Sequence, residues 1–87
     1  MAQVNADPES LRQVRASIDR FQKDLDRSIA QVRGSLRGAK WNDERRRDFE
    51  RDLEKLLNSI AAFSKNADQL KAHLARKADD LDRFLAR

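Results

Sequence analysis

The residues of this chain that could do chemistry are one histidine, a knot of aspartates and a run of arginines, and each set can be weighed by what its chemistry demands. His73 is the sole imidazole, and a metal site built on it needs further His or Cys ligands at compatible spacing, of which the sequence has none. Asp79, Asp80 and Asp82 lie close together but lack the glycine and terminal glutamate that shape a calcium loop. No nucleophile is paired with a base, and no glycine-rich loop offers to cradle a phosphate. The sequence therefore predicts no enzyme, no cofactor and no metal site.

The arginines are the remaining chemistry. Residues 33–47 hold six basic side chains, Arg33, Arg37, Lys40, Arg45, Arg46 and Arg47, against Asp43 and Glu44, and this segment accounts for the whole net charge of +4. Such a cluster can contact phosphates, which makes a basic nucleic-acid-binding helical module using Arg45, Arg46 and Arg47 one reading. Asp48, Glu50 and Asp52 interleave with the cluster and offer ion pairs at helical spacing, such as Glu44 with Arg47 and Asp48 with Arg51. Trp41 and Phe49 are the only aromatics nearby, too few for a stacking platform. A solvated charged face is the favoured expectation, with nucleic acid the less favoured partner.

What would position these residues is a pair of long helices in a single domain. The chain is 39% charged and 39% hydrophobic, with two Gly, one Pro, no Tyr and no Cys, a balance that suits amphipathic helices and leaves little from which to build a sheet. It contains no apolar run long enough to span a membrane and no cleavable leader, so the expected location is cytoplasmic before export, with secretion possible by a route that reads no N-terminal signal. Residues 1–7 read as a flexible N-terminus. Asp7 then stands as N-cap, Pro8 at the first helical position and Glu9 in the first turn.

Helix one, over 8–37, carries the stripe Leu11, Val14, Ile18, Phe21, Leu25, Ile29, Val32, Leu36, whose mean spacing lies between 3.5 and 3.6 residues. Gly38 suits a left-handed C′ position, and Gly34 a close approach near the tip. Residues 38–42 form the turn, and Asn42 or Asp43 caps helix two, expected over 43–86 with the stripe Phe49, Leu53, Leu56, Ile60, Phe63, Ala67, Leu70, Leu74. Laid antiparallel, the two stripes pair in eight layers from Leu36 with Phe49 to Leu11 with Leu74. The fold class predicted is all-α, an antiparallel two-helix hairpin, with residues from 75 onward as a C-terminal overhang. A hairpin leaves two sides of each layer open to water, and a second row of small or apolar residues, Leu57, Ala61, Ala30 and Ala16, widens the stripe; pairing of two hairpins into a four-helix bundle is the expected consequence.

The turn set, Gly38, Trp41, Asn42, Asp43 and Phe49, carries a resemblance. A chain of this length, with Trp41 between two amphipathic helices and Phe49 on the seam eight residues later, resembles the WXG family of early-secreted-antigen-like proteins. The resemblance implies a helical hairpin exported by a type VII (ESX) secretion system as a homodimeric or heterodimeric bundle. The family motif has Gly two residues after Trp, whereas here Asp43 stands there, giving a WxD tip whose carboxylate can accept a helix N–H. The family's Tyr followed four residues later by an acid is absent, which implies either that a partner supplies that signal or that the role is not secretion. The expected function is that of a small helical protein acting through protein contacts, homodimeric or paired with a related hairpin. Leu81, Phe84 and Leu85 of the overhang are the expected docking surface for a partner or for secretion machinery.

Overall fold

The computed structural model describes residues 6–86. Most of the N-terminal segment expected to be flexible, residues 1–5, lies outside the described residues, as does Arg87. Two helices, α1 (Pro8–Gly38) and α2 (Glu44–Leu85), run antiparallel as an all-α hairpin with principal extents of 67 × 20 × 14 Å. No strand occurs among the described residues, and no helix is long and apolar enough to cross a membrane.

The start of α1 follows local chemistry with one difference. Asp7 has extended backbone at the N-cap and Pro8 follows at the first helical position, but the Asp7 carboxylate accepts no helix N–H. It accepts the Ser10 hydroxyl instead, at 3.0 Å. Asp43 rather than Asn42 caps α2, its side chain accepting from the backbone N–H of Arg46. The left-handed C′ expected at Gly38 does not occur. Gly38 is the last helical residue, no described glycine has positive φ, and the chain turns directly into extended backbone at Ala39. One of the helix-end carbonyls is met without a left-handed cap: Leu36 O accepts the Ala39 backbone N–H at 3.2 Å and a guanidinium N–H of Arg46 at 3.1 Å. Gly34 serves no close helix approach either, since a side chain there would meet only the end of Arg37, 3.9 Å away.

The eight expected layers are only half a core. α1 packs on the side of α2 that presents Leu57, Ala67, Ala78 and Leu81, all buried, with Leu53, Ile60 and Leu74 half-buried beside them. Phe49, Leu56, Phe63 and Leu70, assigned to the seam, are turned away and lie 43 to 58% exposed. Phe21 does meet Phe63 edge to face, with ring centroids 5.9 Å apart, but at the margin of the contact rather than in its centre. The physical reason is size. Ser64, Ala67 and Ala78 are small enough to sit under α1 beside Leu57 and Leu81, whereas the row Phe49, Leu56, Phe63 and Leu70 has no small member. Of the second row only Leu57 is buried; Ala16, Ala30 and Ala61 are exposed.

The overhang from residue 75 is a correction of the same kind. Ala78 is fully buried and Leu81 is 4% exposed, because α1 begins three residues before Leu11 and its first turn, with buried Pro8, reaches further along α2 than the apolar stripe alone indicates. Arg12 extends the contact by pairing with Asp79 at 3.4 Å and with Asp82. Only Phe84 and Leu85 of the expected docking set are exposed, at 59 and 61%. With the chain kept monomeric by dilution, Leu81→Ala should lower stability by about 2 to 3 kcal/mol in urea denaturation, as buried leucines do. Phe84→Ala, which removes a larger but exposed side chain, should cost less than about 0.5 kcal/mol under the same conditions.

Candidate protein-interaction face

The two long sides of the hairpin are chemically opposite. One is bridged by polar groups. Gln22, 8% exposed, places Nε2 3.0 Å from each of Ser64 O, Ser64 Oγ and Asp68 Oδ1, while its Oε1 is buried without a partner. Lys71 donates to Asp19 at 3.2 Å and pairs with Asp68 at 3.3 Å, and Arg33 spans to Glu54 at 3.1 Å nearer the tip. A buried amide must find acceptors, so Gln22 fixes the slide of one helix on the other. A shift of one heptad would set it against Leu57 and Ala61, which offer no side-chain acceptor.

The other side is apolar and open. On α2 it presents Phe49, Leu56, Phe63, Leu70 and Phe84, each separated from the next by seven residues or a multiple of seven, and on α1 Val14, Phe21 and Val32, all 43 to 59% exposed. Two grooves indent it. One of about 280 Å³ lies between Val14, Phe21, Phe63 and Leu70, and one of about 480 Å³ near the tip is lined by Val32, Leu36, Trp41 and Phe49. Both walls include small polar residues, Ser17 and Asn66 in the first groove, Ser28 and Ser35 in the second. An exposed apolar strip along most of a small chain is the mark of a contact surface.

The tip joins the two sides. Trp41 packs on Phe49 with ring centroids 5.4 Å apart, and its Nε1 donates to Asp43 Oδ1 at 2.7 Å. The same carboxylate caps α2, so one side chain fixes both the indole and the helix start. Arg46 closes the turn: its guanidinium donates to Trp41 O at 2.7 Å and Leu36 O at 3.1 Å and to Glu50 at 2.8 Å. Three of the five N–H groups of Arg46, one of the arginines offered for phosphate contact, are thus engaged at the turn. Arg45 and Arg47 remain exposed, as does Asn42. Of the expected ion pairs, Asp48 with Arg51 forms at 3.6 Å. Asp79 and Asp82 serve Arg12, whose guanidinium they hold above its ordinary pKa, and Asp80 pairs with Arg83, so the aspartate knot is a set of ion-pair acceptors. His73 is exposed.

Sequence reasoning named Arg46 but not its role in the turn, and it missed Gln22. Gln22 left a signal, since it stands seven residues before Ile29 and fourteen before Leu36, on the inward row of α1. Arg46 left none, because among six basic residues nothing marks the one whose position faces the end of the other helix.

Neither family models nor curated proteins nor solved structures give a match to this chain. Fold and surface define the class on their own terms: an all-α helical hairpin with one polar, closed side and one apolar, open side.

Arg46→Ala strips three partners from the turn and should lower stability by about 1 to 3 kcal/mol in urea denaturation, whereas Arg45→Ala and Arg47→Ala should each change it by less than about 0.5 kcal/mol. The polar side also makes stability pH-dependent. Asp19 titrates below its ordinary 3.8 because Lys23 and then Lys71 donate to it, and Asp68 does so because Gln22 and then Lys71 donate to it. Carboxylates with a lowered folded pKa contribute fully above their unfolded value and lose that contribution as pH falls through the folded one. Thermal midpoints should therefore hold steady from neutrality to about pH 5 and fall below about pH 4, with a shallower fall in Asp68→Asn.

Proposed function

We propose that this chain is a WXG-like protein-contact module that works as a dimer of hairpins, each covering the other's apolar side in a four-helix bundle. The observation that carries the reading is the exposed row Phe49, Leu56, Phe63 and Leu70, which the chain's own α1 leaves uncovered. The resemblance to early-secreted-antigen-like hairpins rests on Trp41 in the turn packed on Phe49 of α2, with Asp43 in place of the family's Gly. By that resemblance the chain is handled and exported by a type VII secretion system. Phosphate binding at the tip is the weaker reading, because Arg46 is committed to the turn and Arg33 to Glu54.

Sedimentation equilibrium tests the dimer. The wild-type chain should form a dimer at micromolar concentration, and the double variant Leu56→Asp, Leu70→Asp should be monomeric yet keep its helical circular dichroism, since both side chains are exposed in the single hairpin. A wild-type chain that stays monomeric until a related hairpin is added would replace the homodimer with a heterodimer. A chain that binds nucleic acid at low salt while remaining monomeric would overturn the reading. Export is tested in a host with a type VII system, where the chain should reach the medium only while the secretion ATPase is active.

A further inference from the structure

Pairing through the open side needs a register, and the row on α2 contains a residue that can set one. Phe49, Leu56, Phe63, Leu70, Lys77 and Phe84 recur at seven-residue spacing, five large apolar side chains and a single charge. We propose that two copies pair antiparallel along this row, about a two-fold axis perpendicular to it, with Lys77 of each copy fixing the register by reaching the partner's Asp52. The inference rests on the dimeric reading and adds to it which residues meet.

The heptad spacing restricts antiparallel pairings to steps of one heptad, about 10.5 Å. One step uses the whole row: Phe63 meets the partner's Leu70, Phe49 meets the partner's Phe84, and Lys77 lies over the partner's Leu56. In that arrangement the Lys77 stem covers Leu56 and its ammonium emerges at the edge of the contact between the partner's Asp52 and the partner's Ser59. Sliding one heptad toward the tip puts Lys77 between Arg45 and Asp52 and leaves Phe84 without a counterpart. Sliding the other way puts it between Ser59 and Asn66, with no acid in reach. A parallel pairing would set Lys77 against Lys77 and Asp52 against Asp52. A lone charged residue in an apolar heptad row specifies alignment for this reason: the wrong alignments leave it beside like charge or unpaired.

Other features agree with the full register. Neither Lys77 nor Asp52 takes part in an ion pair within its own chain among the described residues, so both are available to a partner. Asp48 and Arg83, paired within their own chains with Arg51 and Asp80 respectively, come near one another across the same edge. The groove beside Phe63 and Leu70 then lies at the two-fold axis, and the groove beside Trp41 and Phe49 lies where the partner's Phe84 arrives.

A charge swap tests the proposal. Lys77→Asp and Asp52→Lys, both at exposed positions, should each raise the dimer dissociation constant about tenfold or more, and the double variant should recover to within about threefold of wild type. Asn66 falls at the axis, and the chain has no cysteine of its own, so Asn66→Cys should give a disulfide-linked dimer on mild oxidation. A wild-type dimer in which the double variant is no tighter than the single ones, or in which Asn66→Cys fails to cross-link, overturns the register while leaving the dimer intact. A wild-type chain with no dimer at all overturns both.

Discussion

Two helices packed side by side can bury only the strip along which they touch, and the rest of this structure depends on that constraint. In this chain the buried strip goes to small residues, Ala67 and Ala78, flanked by Leu57 and Leu81. The small side chains leave room for the polar bridge of Gln22, Ser64, Asp68 and Lys71 on one margin. What does not fit in the strip is displaced to the other margin, where phenylalanines and leucines stand at half their full exposure. The apolar side is thus the remainder of a core too wide for one pair of helices.

The polar margin and the tip act on different degrees of freedom. Gln22 limits sliding of α1 along α2, because a buried amide without acceptors is costly. Arg46 limits opening of the hairpin, since it bonds the carbonyl of Leu36 at the end of one helix while belonging to the first turn of the other. Trp41 is held on the same carboxylate that starts α2, so its placement on Phe49 is coupled to helix initiation. Between these two points lies the open side.

Much of this was legible in the sequence. Leu36 and Phe49 flanking a short turn, and apolar stripes of matching length on either side, were enough to give a hairpin, and the helix ends came within one residue because Pro8 and Asp43 act locally. The rotation of α2 about its own axis was not legible. Phe49, Leu56, Phe63 and Leu70 share a helical stripe with Leu53, Ile60 and Leu74, and periodicity marks the stripe without saying which half meets the other helix. That choice is made by side-chain size, through Ser64, Ala67 and Ala78, and by the acceptors Gln22 requires. The reach of α1 over Ala78 and Leu81 was hidden for a similar reason, since Pro8 and Arg12 extend the contact without belonging to the apolar stripe.

The central claim is that the row from Phe49 to Phe84 is a core surface awaiting a second chain, and the most direct measurement is the concentration dependence of thermal unfolding. Association of folded hairpins draws the folding equilibrium toward the native state by mass action, so the midpoint should climb steadily as protein concentration rises from nanomolar to high micromolar. A midpoint that stays the same across that range would contradict the account, because it would mean the apolar side remains in water when the chain is folded.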